Sequence, residues 1–331
     1  MTLVISKDGR ETKVVPETSI EKESYLQEYI KNNPEIIPVS DIKEDLKIIP
    51  VKREFPTDNN ERIDVLAIDG EGSIYVIEAK LESNTDKRKA IAQVIDYGAS
   101  LIRQYNPDSF VKIIIENLKE KHQKDSINEI LQEEFPESDV DEESFLENLR
   151  KNFSDGEFVF LIVMDHLDDR LKDMISFLKD KSRLQLYAVE TEFYEHDGYE
   201  IVVPHLFGAE EPSVKRTNEV FSVEDHLKKG SIEIQKLYKK LESEISKFGR
   251  SDINPVKHYI GFIKNNQFAY IKIRKQFLRI VIVSHKELDD PKQLAKAYHN
   301  PKYPQRRIVE MYDEKNFDYI VGLIKQAYVN N

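Results

Sequence analysis

Asp64, Glu78 and Lys80 fall in one segment, ERIDVLAIDGEGSIYVIEAK, which spans residues 61–80. Between its two apolar runs lies Asp69-Gly70-Glu71-Gly72, whose residue types favour a tight turn. Folded as a hairpin, Asp64–Ile68 pairs antiparallel with Ser73–Lys80, residue 68 lies near 73, and Asp64 comes opposite residues 77–78. Side chains alternate along a strand, so Glu78 and Lys80 share a face. The spacing therefore predicts two carboxylates and one ammonium converging at one edge of a sheet. Carboxylate oxygens are hard ligands for Mg²⁺, and a lysine beside them orients or deprotonates an attacking water. A carboxylate inside an apolar strand is costly to bury without a partner, which favours a metal role for Asp64 over bracketing the turn. The ordinary alternative for Glu78 and Lys80 is a solvent-facing ion pair on an edge strand.

The elements around this segment are legible from periodicity. Leu3–Ile5 and Lys13–Val15 flank a Lys7-Asp8-Gly9-Arg10 turn and predict a small hairpin. Ser19–Asn32 predicts a helix capped by Ser19, with an apolar stripe at Tyr25, Leu26, Tyr29 and Ile30 and a stop at Asn33-Pro34. Leu46–Arg53 reads as a strand, Thr85–Tyr105 as a strong amphipathic helix and Phe110–Ile115 as an apolar strand. Residues 119–151 read as charged helical pieces. Phe158–Met164, Leu184–Val189 and Tyr199–Val203 read as strands, with a helix over His166–Lys179. Strands alternating with helices predict an α/β layer.

Charge divides the chain. The 331 residues carry a net charge of -12, but residues 215–331 hold 23 Lys and Arg against 14 Asp and Glu, and residues 1–214 hold 26 against 47. Such asymmetry predicts two domains with different partners. Gly208–Val220 lacks apolar periodicity at the point where the charge changes sign, so domains over 1–210 and 230–331 with a linker at 211–229 are expected. In the second, Ile232–Phe248 predicts a helix, Tyr259–Lys264, Ala269–Arg274 and Phe277–Ser284 three strands, Pro291–Tyr298 a short helix, Arg307–Met311 a strand and Glu314–Val329 a last helix, a small α+β domain. Residues 131–149 carry eight acids and no base, the pattern of a solvated face, with mimicry of nucleic acid as the sharper alternative.

The absence of cysteine excludes disulfides, zinc–thiolate sites and thiol catalysis, and fits a cytoplasmic protein. No apolar run reaches the ~18 residues of a membrane helix, and MTLVISKDGRETK lacks the apolar core of a signal peptide. No G-x-x-x-x-G-K-[ST] loop is present, so no nucleotide-driven motor is expected. The eight histidines form no i, i+4 pair, and the acids around His166 read as helix-start residues.

Asp64 on the first hairpin strand and Glu78-Ala79-Lys80 on the second resemble the core of the PD-(D/E)XK nuclease superfamily, with Ile63 where the motif's proline stands. The following stretch, RKAIAQVIDYG at 88–98, is similar to the helix after the E-x-K strand in RecB-like and archaeal structure-specific members. There a glutamine and a tyrosine face the site, and Gln93 and Tyr97 match them at i, i+4. Members of this group also carry a glutamate on a helix before the core. Glu23, ahead of Leu26 and Asn33-Pro34-Glu35, matches it, with Glu28 as the substitute. The resemblance covers about residues 15–207, its specific motifs 23–98.

It implies a restriction-endonuclease-like mixed central sheet flanked by helices, and a Mg²⁺-dependent nuclease, Mn²⁺ substituting, that hydrolyses phosphodiesters in DNA during repair or defence. Asp64, Glu78, the carbonyl of Ala79 and Glu23 would hold metal. Lys80 would position the water, and Gln93 would hold Lys80 or the phosphate. Tyr97 would face the site, while Arg62 is open to pairing with Glu61 or Asp64 or to contacting a phosphate of the bound strand. In the second domain, Lys272, Arg274 and Lys275 alternate with Phe268, Tyr270 and Phe277, and Lys302, Arg306 and Arg307 cluster near Tyr303. Basic grooves with interleaved aromatics bind nucleic-acid strands, while solvated lysines around an aromatic core are the plain alternative. Lys257-His258-Tyr259-Ile260, Leu288-Asp289-Asp290-Pro291 and the helix at 319–328 resemble a small uncharacterised α+β domain found at the ends of bacterial proteins. The rival to the enzyme is a catalytically inactive module of the same fold that binds nucleic acid or protein. A single site cuts one strand, so duplex cleavage would imply a homodimer or two successive nicks.

Overall fold

The computed structural model describes residues 3–42, 47–58, 61–83, 88–135, 142–182, 184–209, 221–256, 259–298 and 303–330. Lys302, Lys257, His258, the middle of the acidic run and most of the expected linker lie outside them. The chain forms two compact units, Met1–Glu211 and Pro212–Asn331, both mixtures of helix and strand. Among the described residues no helix is long and apolar enough to cross a membrane.

The first unit opens with a hairpin of β1 (Leu3–Lys7) and β2 (Glu11–Val15), followed by the two-residue β3 (Glu17–Thr18). Helix α1 (Glu23–Asn32) starts three residues later than a cap at Ser19 would have it, with Lys22 at the cap position. Glu17 and Thr18 are drawn into pairing with Tyr194 and Phe193, so Ser19 leaves a strand instead of capping a helix. After α2 (Val39–Ile42) come β4 (Ile48–Pro56), β5 (Arg62–Asp69) and β6 (Ile74–Lys80). Helices α3 (Arg88–Gln104), α4 (Pro107–His122), α5 (Ile127–Glu134) and α6 (Glu142–Asp155) precede β7 (Phe158–Met164). The unit ends with α7 (Asp169–Lys181), β8 (Gln185–His196) and β9 (Tyr199–Phe207).

The expected strand at Phe110–Ile115 is instead the middle of α4. Asn106 caps that helix, its side chain accepting from Ser109 N at 2.9 Å, and Pro107 occupies the first turn. Phe110, Val111, Ile114 and Leu118 then form one buried stripe of helical spacing.

Seven strands form one mixed sheet in the order β3-β8-β7-β6-β5-β4, with β9 on β8. β4, β5 and β6 are antiparallel, whereas β6, β7 and β8 run parallel. The β5–β6 turn is built by Asp69, which accepts from Glu71 N and Ser73 N on Oδ1 and from the Tyr75 hydroxyl on Oδ2. Ile68 pairs with Ile74, and the β5–β6 ladder runs no further than Val65↔Ile77. Each face of the sheet is buried. Val76, Phe160 and Ile162 pack with Val94, Tyr97 and Leu101 of α3, while Ile77, Ala79 and Leu161 pack with Leu26 and Ile30 of α1.

The second unit contains α8 (Val223–Leu227), α9 (Ile232–Ser246), β10 (Asp252–Pro255), β11 (Ile260–Ile263), β12 (Gln267–Ile273), β13 (Leu278–Val283), β14 (Lys296–Ala297), β15 (Arg306–Met311) and α10 (Phe317–Asn330). Its antiparallel sheet has the order β10-β11-β12-β13-β15-β14. Residues 221–229, expected as linker, belong to this unit. Ser222 and Asp225 form a capping box, and Leu227 is part of the core. The short helix expected at Pro291–Tyr298 is absent. Asp290 accepts from Ala295 N at 2.7 Å, and Gln293 takes a left-handed φ of 52°, so the segment turns before entering β14.

Candidate active site

The site forms where β5 and β6 part. Beyond Val65↔Ile77 the backbone ladder stops, and the Asp64 side chain takes its place: Oδ2 accepts from Ala79 N at 2.8 Å. In an extended strand the N–H and C=O of a residue share an edge, so the Ala79 carbonyl faces the same gap. On its other side β6 stays paired with β7, Glu78 opposite Ile162 and Lys80 opposite Met164.

Glu78 is fully buried on the α3 face. Both its carboxylate oxygens are shut off from solvent, and the side chains that reach them are Lys80, Asp64 and Tyr97. Lys80 Nζ lies 2.8 Å from Oε1 as an ion pair, and Tyr97 of α3 lies against the same carboxylate. Burial pushes the Glu78 carboxyl up, against the opposing pull of Lys80. Burial, then the charge of Glu78, pushes Asp64 up to about 8. Burial and the charges of Glu78 and Asp64 raise the Tyr97 hydroxyl, which therefore stays protonated. Burial alone would lower Lys80, but its contact with Glu78 and the surrounding carboxylates more than offset this and raise it.

Helix α1 completes the constellation. Leu26 and Ile30 are buried, which turns Glu23 and Gln27 toward the hairpin. Glu23 Oε1 accepts from Leu81 N at 3.3 Å, and its Oε2 lies 3.6 Å from Lys80 Nζ. Gln27 Nε2 donates to Asp64 Oδ1 at 2.8 Å. Gln27 escaped the reading of the sequence; its spacing of i, i+4 from Glu23 was the available signal.

The structure thus brings Glu23, Asp64, Glu78, Ala79, Lys80 and Tyr97 together. Gln93 sits half-buried one turn before Tyr97, but Lys80 is held by Glu78 and Glu23 and not by Gln93. Glu28 is no substitute for Glu23: it is taken by Lys31 at 2.9 Å and Arg53 at 3.2 Å. Arg62 pairs with Glu54 at 3.3 Å, away from Asp64. His166 pairs with Glu190 at 2.9 Å and lines a cavity of about 370 Å³ with Glu82 and Asp165.

Among the described residues no group of three or more His, Cys, Asp or Glu side chains is disposed to hold a metal ion. Asp64, Glu78 and the Ala79 carbonyl offer oxygen donors at this gap, and two buried carboxylates side by side are a concentration of negative charge that a hard cation such as Mg²⁺ would offset.

The basic residues expected to reach a nucleic acid are largely turned inward. Lys272 is buried beside Tyr270, while Phe268, Tyr270 and Phe277 are core residues. Arg274 is half-buried and Lys275 exposed. Arg306 stacks over Tyr303 at 3.9 Å, and Arg307 donates to the carbonyls of Pro304 and Arg306. β12 lies inside the sheet with both faces covered, so Lys272 is buried along its stem.

Residues 223–331 match the family model described as Domain of unknown function (DUF5655). No curated protein and no solved structure matches the chain.

Proposed function

We propose that the first unit is a Mg²⁺-dependent nuclease of the PD-(D/E)XK type, with a restriction-endonuclease-like core, that hydrolyses phosphodiester bonds in DNA. The observation that carries this reading is the buried Glu78 carboxylate beside Asp64, paired with Lys80, at the parting of two strands. The order of antiparallel β4-β5-β6 followed by parallel β6-β7-β8, with α1 and α3 on opposite faces, supports it.

Asp64, Glu78 and the Ala79 carbonyl are the groups to hold Mg²⁺, which when bound supplies Lewis-acid polarisation of the phosphate and a more acidic water. Lys80 acts as an ammonium. Its ion pairs with Glu78 and Glu23 keep it charged and suit it to stabilise charge developing on the phosphate. Glu23 restrains Lys80, and protonated Tyr97 restrains Glu78.

The test is incubation of the full chain with labelled single-stranded, nicked, flapped and duplex DNA in Mg²⁺, Mn²⁺ or Ca²⁺, beside Lys80→Ala and Glu78→Ala. Cleavage in Mg²⁺ or Mn²⁺ that both variants lose is the expected result. Cleavage retained in both variants refutes the assignment. DNA bound equally by all three proteins and cut by none moves the function to a binding module.

A further inference from the structure

We infer that Gln27 is a positioning residue for the metal site, an inference that rests on the nuclease reading above. Asp64 has two oxygens and each has one donor: the Ala79 amide on Oδ2 and Gln27 Nε2 on Oδ1, both at 2.8 Å. The first donor belongs to the strand that carries Glu78 and Lys80 and is fixed by the sheet. The second is a side chain from a different element, 37 residues away in the chain. Gln27 therefore fixes the rotation of the Asp64 carboxylate, which the backbone bond alone leaves as a hinge.

Gln27 is itself well held. The neighbouring Leu26 is fully buried, as is Ile30 one turn on, so the helix cannot turn about its axis without opening the core. Glu23, one turn earlier, ties the same helix face to Leu81 N beyond the end of β6. Helix α1 thus grips the diverging hairpin on both sides, Gln27 on the β5 strand and Glu23 on the β6 strand. A carboxylate ligand whose unshared lone pairs are aimed by outer donors binds metal more tightly, and removing such a donor costs about 10- to 100-fold in metal affinity. A neutral amide is suited to this position, since it donates without adding charge to a site already rich in carboxylates.

Direct Mn²⁺ binding tests this, read from the electron paramagnetic resonance of free Mn²⁺ and independent of DNA cleavage. The proteins are the full-length wild type, Gln27→Met, Gln27→Ala and Glu78→Gln. Methionine keeps the bulk of the glutamine stem and removes the donor. Melting without metal reports whether each variant is folded. The expected result is one tight site in the wild type, lost in Glu78→Gln and weakened about 10- to 100-fold in Gln27→Met, with Gln27→Met still melting in one cooperative transition without metal. Mn²⁺ binding by a folded Gln27→Met or Gln27→Ala equal to the wild type overturns the role of Gln27 and leaves the nuclease reading standing. A wild type with no site sensitive to Glu78→Gln overturns the metal reading and the inference together.

Discussion

Replacing Asp64 by asparagine removes a charge from the site while keeping its shape. The two donors to Asp64, Gln27 Nε2 and Ala79 N, each lie at 2.8 Å. Asparagine keeps a carbonyl for the Ala79 amide, and its own amide meets Gln27, which can turn end for end to offer an oxygen. The hydrogen bonds survive and the charge does not. Burial, then the charge of Glu78, pushes the Asp64 carboxyl up to about 8, against about 3.9 in an unfolded chain. Each pH unit of that interval is worth ~1.4 kcal/mol, so ionised Asp64 burdens the metal-free fold by up to ~5 kcal/mol. Glu78 shares that burden, so neutralising one member of the pair relieves part of it.

Because the folded-state pKa is raised, the folded protein holds a proton that the unfolded chain has lost. Metal-free stability therefore falls as pH rises from about 4 to about 8. Asp64→Asn escapes that fall. Calorimetry in a chelator should show the variant melting higher than the wild type at pH 8.5, by ~2–4 °C per kcal/mol for a unit of this size. The gap should narrow toward pH 4. Added Mn²⁺ should reverse the order, since ligand binding stabilises the wild type and the variant has lost a ligand. A variant no more stable than the wild type at pH 8.5, or a gap that does not change with pH, refutes the electrostatic account of the site.

Lys80→Met should act in the opposite direction. It leaves the fully buried Glu78 without its cation, a loss of about 3–5 kcal/mol, and Glu78, already raised above its ordinary range, should rise further. The deficit should therefore grow with pH, which melting at pH 5 and pH 8.5 measures, and cleavage should be lost. Gly72→Ala should disturb the site from a distance. Gly72 has a φ of +79°, and an added Cβ would lie 2.7 Å from Leu149 N and 2.9 Å from Phe145 O, both backbone atoms of α6. The hairpin tip must shift, at a cost above ~2 kcal/mol, and cleavage should fall with it. Gly9→Ala, also at positive φ but with open space around it, should cost ~1 kcal/mol and leave cleavage unchanged.

The hairpin was readable because its signals are local. A turn of Asp and Gly, a period of two and apolar runs on either side set the register to within one residue, Ile68 pairing with Ile74 instead of residue 73. Gln27 carried only its i, i+4 spacing from Glu23, because its partner is 37 residues away and a glutamine on a helix has the same local pattern whether it faces solvent or a carboxylate. Phe110–Ile115 was ambiguous for a different reason: a short apolar run suits a buried strand or a buried helix equally, and here Asn106-Pro107 decides. Lys272, Arg306 and Arg307 show where charge counting fails. A net positive domain need not display its cations, and these pack their stems and guanidinium planes on tyrosines or bond to carbonyls within the unit.

On the proposed reading, the ending of the β5–β6 ladder is what suits this position to a cation. A strand buried on both faces leaves no solvent for its backbone, so each polar group at the parting needs a partner. Asp64 answers the Ala79 amide and in doing so brings a carboxylate into the core, next to the one already placed there by Glu78. With Glu23 at the mouth, three carboxylates face the single ammonium of Lys80. The metal-free protein relieves the imbalance by taking up protons, which is the physical content of the raised Asp64 and Glu78. Fully ionised, the four side chains sum to two negative charges, the complement of one divalent cation. A chain that merely needed a stable sheet could have continued the ladder for one more pair with apolar side chains and avoided the whole expense.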